Sequence, residues 1–170
     1  MKRRNVRNVV MLGTLAALTL SGSAVAQMGK SSDEIVAERQ RFMKLNGASW
    51  KDVQDKLKAG LPVEMVAVNA ETMAQNGLRI TSYFPPGSMT DKSKAKPEIW
   101  QKWSEFEAAA KNMTSESEKL RDAAAAKNAE AVQAIAKDFG RNACGSCHQP
   151  FRVPPPQQQQ QQPQPPQPQR

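Results

Sequence analysis

The sequence predicts an all-α fold, an up-down-up-down four-helix bundle, and three observations carry that prediction. Between Gln27 and Val153 no stretch alternates with period two for long, whereas apolar residues recur throughout at three- and four-residue steps. From Ile99 through Trp103, Phe106, Ala110, Met113, Ser117 and Leu120 to Ala124 those steps alternate four and three without a slip. That is the seam of left-handed, near-antiparallel helix packing. The links between periodic segments are short and carry Gly or Pro, which favours antiparallel neighbours.

Each element follows from local signals. The first helix opens at Ser31 or Ser32, with Asp33 and Glu34 in its first turn, and places Ile35, Arg39, Phe42, Met43, Gly47, Trp50, Val53 and Leu57 on one face. Gly60 is suited to end it and Pro62 to begin the next. The second helix shows Val63, Val66, Ala70, Met73, Gly77 and Ile80 on one face, until Tyr83-Phe84-Pro85-Pro86-Gly87 breaks it. A polar loop runs to Lys96, Pro97 starts the third helix, and Asn128 caps a fourth that offers Val132, Ile135, Ala136, Phe139 and Ala143.

The ends of the chain read differently from its middle. Lys2, Arg3, Arg4 and Arg7 precede an apolar run from Val9 to Leu20, and Ala24-Val25-Ala26 fits a small-residue cleavage site. Residues 1–26 are therefore expected to be a cleaved export signal; the apolar run is short for a membrane span, so no stable membrane insertion is expected after cleavage, and the periplasm is the expected location. Residues 27–153 form the expected bundle domain. From Pro154 to Gln169 every residue is proline or glutamine, a composition with nothing apolar to bury, so 154–170 is expected to be a disordered tail, either a docking segment or a tolerated extension.

The net charge of +8 falls to about +4 without the four basic residues of the signal. No basic stripe interleaved with aromatics appears, so nucleic acid is not an expected partner. A mild excess of this size is compatible with transient contact to an acidic protein surface.

Cys144-Gly145-Ser146-Cys147-His148 holds both cysteines and the only histidine of the 170 residues. C-x-x-C-H is the attachment signature of c-type haem. On a helix the two thiols share a face and can each form a thioether to a haem vinyl group, while His148, four residues after Cys144, points the same way and can ligate the iron. A structural zinc site needs about four ligands, more than these residues supply. A thioredoxin-type pair would follow a strand, and nothing upstream of Cys144 reads as one. The bundle is thus expected to carry one covalent haem c, near the end where the fourth helix finishes; a plain disulfide between Cys144 and Cys147 is the remaining reading.

Many inward positions are Ala, Gly or Ser, which would leave a bundle underpacked unless a macrocycle filled it. Gly47 and Gly77 stand in mid-helix, and for Gly47 close approach to haem or to a neighbouring helix competes with a neutral role. With no second histidine, the sixth iron position is left to a thioether, a lysine amine, water or nothing. Methionine ligation raises the potential and suits electron transfer; an open position suits a small gas. Met43 is the foremost candidate by position, although a Met on an apolar stripe also serves simply as core.

Arg39-Gln40-Arg41-Phe42-Met43-Lys44, Lys96-Pro97-Glu98-Ile99-Trp100, and Gly140 with Ala143 before the haem motif and Phe151-Arg152 after it, resemble the class II cytochromes c, the cytochrome c prime family. The resemblance spans the expected bundle domain, and a haem motif near the C-terminus is itself specific to that class. It implies a four-helix bundle with Cys144 and Cys147 as haem attachment points, His148 as proximal ligand and the residue four after Arg39, here Met43, facing the iron. Phe42-Met43-Lys44 with Asn46-Gly47 looks closest to the low-spin His/Met branch, whose members carry electrons between transient redox partner proteins. High-spin members leave the iron five-coordinate and bind nitric oxide or carbon monoxide, and that is the alternative. The resemblance also places Arg152 near the proximal face; Pro150 should end or kink the helix there and leave Arg152 solvated. Arg39 and Arg141 are alternative partners for the propionates, against which stands a plain role as surface arginines. Pairing of two copies through the first two helices is left open, and no arrangement of residues supports an enzyme.

Overall fold

The computed structural model describes residues 29–155. The expected signal at 1–26 and the tail beyond residue 155 lie outside the described residues. The helices belong to the compact unit that begins at Ser31.

α1 spans Ser32–Lys58 and opens on a capping box: the Ser31 hydroxyl accepts from the Glu34 amide at 3.3 Å, and the Glu34 carboxylate accepts from the Ser31 amide at 2.8 Å. It stops where expected. Gly60 adopts φ +68°, and the Leu61 amide reaches back to the Lys56 carbonyl at 3.1 Å, satisfying a terminal carbonyl that a residue with a Cβ would satisfy only under strain.

The expected second helix is one α-helix between two tighter turns. A 3₁₀ turn at Val63–Val66 leads into α2, Ala67–Gly77, and a second 3₁₀ turn follows at Ile80–Tyr83. The expected third helix is interrupted at Lys102 (φ −123°, ψ 48°), giving a short α3, Glu98–Gln101, and a long α4, Trp103–Ala125. Tertiary contacts hold the first turn apart from the rest. The Trp100 indole donates to the carbonyls of Phe84 and Pro85 at 3.1 and 3.2 Å, fastening α3 to the preceding loop.

Asn128 caps α5, Ala129–Phe139, by accepting from the Ala131 amide at 3.0 Å. A π turn, Gly140–Cys144, joins α5 to α6, Gly145–Phe151. α6 contains Pro150 and gives way to extended backbone at Arg152, as expected of a proline that cannot donate to Ser146. The loop before α3 is clasped to the chain leaving α6: Lys96 donates to the Phe151 carbonyl at 2.9 Å, Val153 donates to that of Lys94 at 2.8 Å, and Ala95 pairs with Arg152.

α1 packs on α2, α2 on α4, and α4 on α5 and α6, with no strand among the described residues. This is the expected bundle. Val53, Val66, Met73, Leu120, Val132 and Phe139 are sealed from solvent at its centre, each contributing about 1.5–3 kcal/mol by burial. α1 meets α5 through Trp50, which stacks on Phe139 with ring centroids 4.5 Å apart. Beside that stack α1 and α6 enclose a cavity. No helix among the described residues is long and apolar enough to cross a membrane.

Candidate functional site

The cavity holds about 550 Å³, and its wall is assembled from α1, α2, α3 with the loop before it, α4, the π turn and α6. Met43, Cys144, Cys147 and His148 all line it. Residues separated by a hundred positions in sequence thus meet around one space.

The π turn sets how α6 presents its side chains. The Gly145 amide donates to the Gly140 carbonyl, five residues back, so α6 starts one residue, or about 100°, out of phase with α5. α5 can then keep Val132 and Phe139 in the core while Cys144 at the end of the π turn and Cys147 and His148 on α6 line the cavity. The widened turn is supported from the side: the Asn112 amide of α4 donates to the Asn142 carbonyl at 2.6 Å, and the Ser146 hydroxyl to that of Ala143 at 2.9 Å.

Both cysteines are free and half-buried. Burial pushes the Cys144 thiol up, and the Cys147 thiol up to about 11, so both are protonated at neutral pH. Burial, with a smaller contribution from the Arg152 charge, lowers the His148 pKa and favours the neutral imidazole, the form that ligates a metal. Among the described residues no cluster of three or more Cys, His, Asp or Glu could hold a metal ion by itself. These residues suit a ready-made macrocyclic iron centre better than a bare ion.

α1 forms the facing wall. Met43 is half-buried there, and a Cβ built on Gly47 would meet no atom within 4 Å, so this glycine is not needed for approach of another helix. Gly77 is the reverse. A Cβ there would sit 3.0 Å from the Thr114 amide nitrogen, so this glycine lets α2 and α4 touch.

Arg39, 5% exposed, spans the cavity edge. Its guanidinium donates to the Tyr83 carbonyl at 2.9 Å, to the Ser88 hydroxyl and carbonyl at 2.7 and 3.2 Å, and to the Ser93 hydroxyl at 3.3 Å, and lies 4.1 Å from the centroid of the Phe84 ring. Every one of those acceptors is neutral, and burial pushes its pKa down to about 10. A buried cation without a carboxylate partner is suited to receive an anionic group.

Arg152 is exposed and lines the cavity, whereas Arg141 pairs with Asp138 at 2.8 Å and does not. Asn46 also lines the cavity; its carbonyl oxygen accepts from Asn76 at 2.8 Å, and its buried amide nitrogen has no partner. Spacing could have singled it out, since it continues the 39, 42, 43 stripe. Ser93 and Lys94 line the cavity on a loop clasped to residues 151–153 and tied to α1, and Asn112 supports the π turn without lining the cavity itself. No sequence signal marked them.

An apolar slot with two protonated thiols and a neutral imidazole on one wall, unneutralised arginines at its edge and an unpaired buried amide fits a porphyrin carrying propionates. Comparison with known proteins agrees. The family model described as Cytochrome C' matches residues 34–152. Cytochrome c-556 of Agrobacterium fabrum (strain C58 / ATCC 33970) is 30% identical over 144 residues, covering 84% of this chain and 96% of the relative. A solved cytochrome c′ with an unusual ligand-controlled dimer dissociation superposes with TM-score 0.67 at 26% identity, covering 74% of this chain and 99% of that one. The cytochrome c′ from Thermochromatium tepidum gives 0.66 at 25% identity, with coverage of 74% and 99%.

Proposed function

The chain belongs to the cytochrome c′ family, whose members carry covalently attached haem c, and on that premise we propose that it is an exported haem protein binding nitric oxide or carbon monoxide at an iron held by His148. The observation that carries this reading is the α1 wall, which lines the cavity without an imidazole or a thiolate. Ligand control of dimer dissociation in the 26% identical cytochrome c′ supports it.

Bound haem supplies an iron that changes oxidation state and accepts axial ligands. Cys144 and Cys147 would hold it through thioether bonds, and His148 would offer its iron an imidazole nitrogen. Arg39 and Arg152 offer charge to the propionates, and the apolar side chains of the wall exclude water, which favours binding of an uncharged gas. The signal-like residues 1–26 support export to the periplasm. Exposed Leu45 on α1 and Val68 on α2 support pairing of two copies through those helices.

A second reading rests on Met43 itself. Its thioether lies in the same wall, and ligation by it would close the sixth position and make the protein a one-electron carrier between transient redox partners. Optical spectra of the exported protein and of Met43→Ala decide between the two. A five-coordinate high-spin spectrum that Met43→Ala leaves unchanged, with rapid uptake of carbon monoxide by the ferrous form, is expected. A low-spin spectrum that becomes high-spin in Met43→Ala, with slow uptake before the substitution, would establish the electron carrier instead.

A further inference from the structure

We propose that the mouth of the cavity is a docking surface for an acidic protein, with Lys44 and Lys94 as its principal contact cations. The proposal deepens the haem reading above and rests on it.

The basic side chains that line the cavity are Arg39, Lys44, Lys94, His148 and Arg152, and neither Asp nor Glu lines it. The segregation is not forced by composition, because the chain has 16 acidic residues. Ion pairs occur on the rest of the surface, as between Lys51 and Asp55, Lys119 and Glu116, or Arg121 and Glu71. None of the ion pairs among the described residues includes a residue of the cavity wall. Lys44, Lys94 and Arg152 line the cavity and are also exposed, so they stand on its rim.

They are also held in place. Lys94 and Arg152 belong to the two strands of chain clasped by the Val153-to-Lys94 and Lys96-to-Phe151 hydrogen bonds. The Gln40 amide ties the same loop to α1 by donating to the Lys92 carbonyl at 2.9 Å, and Lys92 pairs with Asp33 at 2.6 Å. Lys44 rises from α1, one turn beyond Gln40. Three like charges are thus carried on anchored backbone around one opening with no ion-pair partner, an arrangement that concentrates positive potential where electrons or ligand would pass. Two haem propionates can neutralise two of the four charged side chains; Arg39 is suited to this by its burial, and Arg152 by the planar guanidinium that grips a carboxylate with two hydrogen bonds. Lys44 and Lys94 remain.

A protein is the fitting occupant. Two or three cations are too few to hold an anionic membrane against salt, and nothing resembles a basic track with stacking aromatics for nucleic acid. They are enough to steer and orient an acidic protein for brief contact.

The test is stopped-flow reduction of the ferric holoprotein by reduced flavodoxin, an acidic redox protein, across a range of ionic strength, with hexaammineruthenium(II) as a cationic probe. The flavodoxin rate should fall as salt rises and the ruthenium rate should not. Lys44→Glu and Lys94→Glu should each lower the flavodoxin rate about threefold or more at low salt, with the haem spectrum unchanged and the difference lost at high salt. Lys58→Glu, the same charge change at the far end of α1, should leave it nearly unaffected.

Equal effects of Lys44→Glu and Lys58→Glu would reduce the phenomenon to net charge and overturn the docking surface. Sedimentation of the holoprotein with vesicles of anionic phospholipid, abolished by Lys44→Glu, would assign the rim to a membrane and overturn it as well. A colourless product from a haem-attaching host would overturn the haem reading and the proposal with it; the other adverse results remove the docking surface alone.

Discussion

Gly77 and Arg39 each depend on one missing partner. Gly77 has no Cβ, and the Thr114 backbone occupies the space one would need. Gly77→Val therefore has to push α2 from α4, at a cost of about 1–3 kcal/mol, read as a lower midpoint in urea with an unchanged slope. Arg39 has no carboxylate and is satisfied by carbonyls and hydroxyls instead. That it lay on the inward stripe was legible from spacing; that four neutral oxygens and the Phe84 ring would surround it was not, because they come from the loop between α2 and α3, which has no period. The cysteines and histidine were legible for a different reason. They are the only ones in the chain, and their spacing has few chemical uses.

Among the elements, α1 and the seam of α4 could be read directly, since a buried stripe repeats at every turn and needs no knowledge of its partner. The interruptions could not. Lys102 and the π turn at Gly140–Cys144 exist because neighbouring segments pull on them: Trp100 is fastened to Phe84 and Pro85, and Asn112 takes the Asn142 carbonyl. Periodicity within one segment carries no trace of such contacts. Asn112→Asp keeps the shape and removes the donor. It is expected to destabilise the protein by about 1 kcal/mol, and more at the α5–α6 junction than elsewhere, seen as faster hydrogen exchange at residues 140–146.

For the whole molecule, the cavity makes the fold incomplete without its cofactor. Cys144→Ser combined with Cys147→Ser, produced in a haem-attaching host, should yield a helical protein that melts over a broader range and at lower temperature than the haem-bearing form, measured by circular dichroism. Acid acts at the same scale. Hydrogen bonds from Lys92, Lys56 and Arg121 hold Asp33, Asp52 and Glu71 respectively below the usual carboxylate range. Because the unfolded chain binds protons at these sites before the folded one does, stability rises with pH there and is lost as pH falls from about 4 through the folded values. All three sites are exposed, so the loss should be modest and smaller in high salt, a comparison that acid titrations at two ionic strengths make directly.

The stack of Trp50 on Phe139 has an optical consequence. Its indole forms part of the cavity wall and is one of three in the chain, so light it absorbs in the ultraviolet would pass to a nearby porphyrin without emission. Fluorescence excited at tryptophan then reports occupancy molecule by molecule in a mixed preparation, dim where the pigment is attached and bright in any colourless fraction.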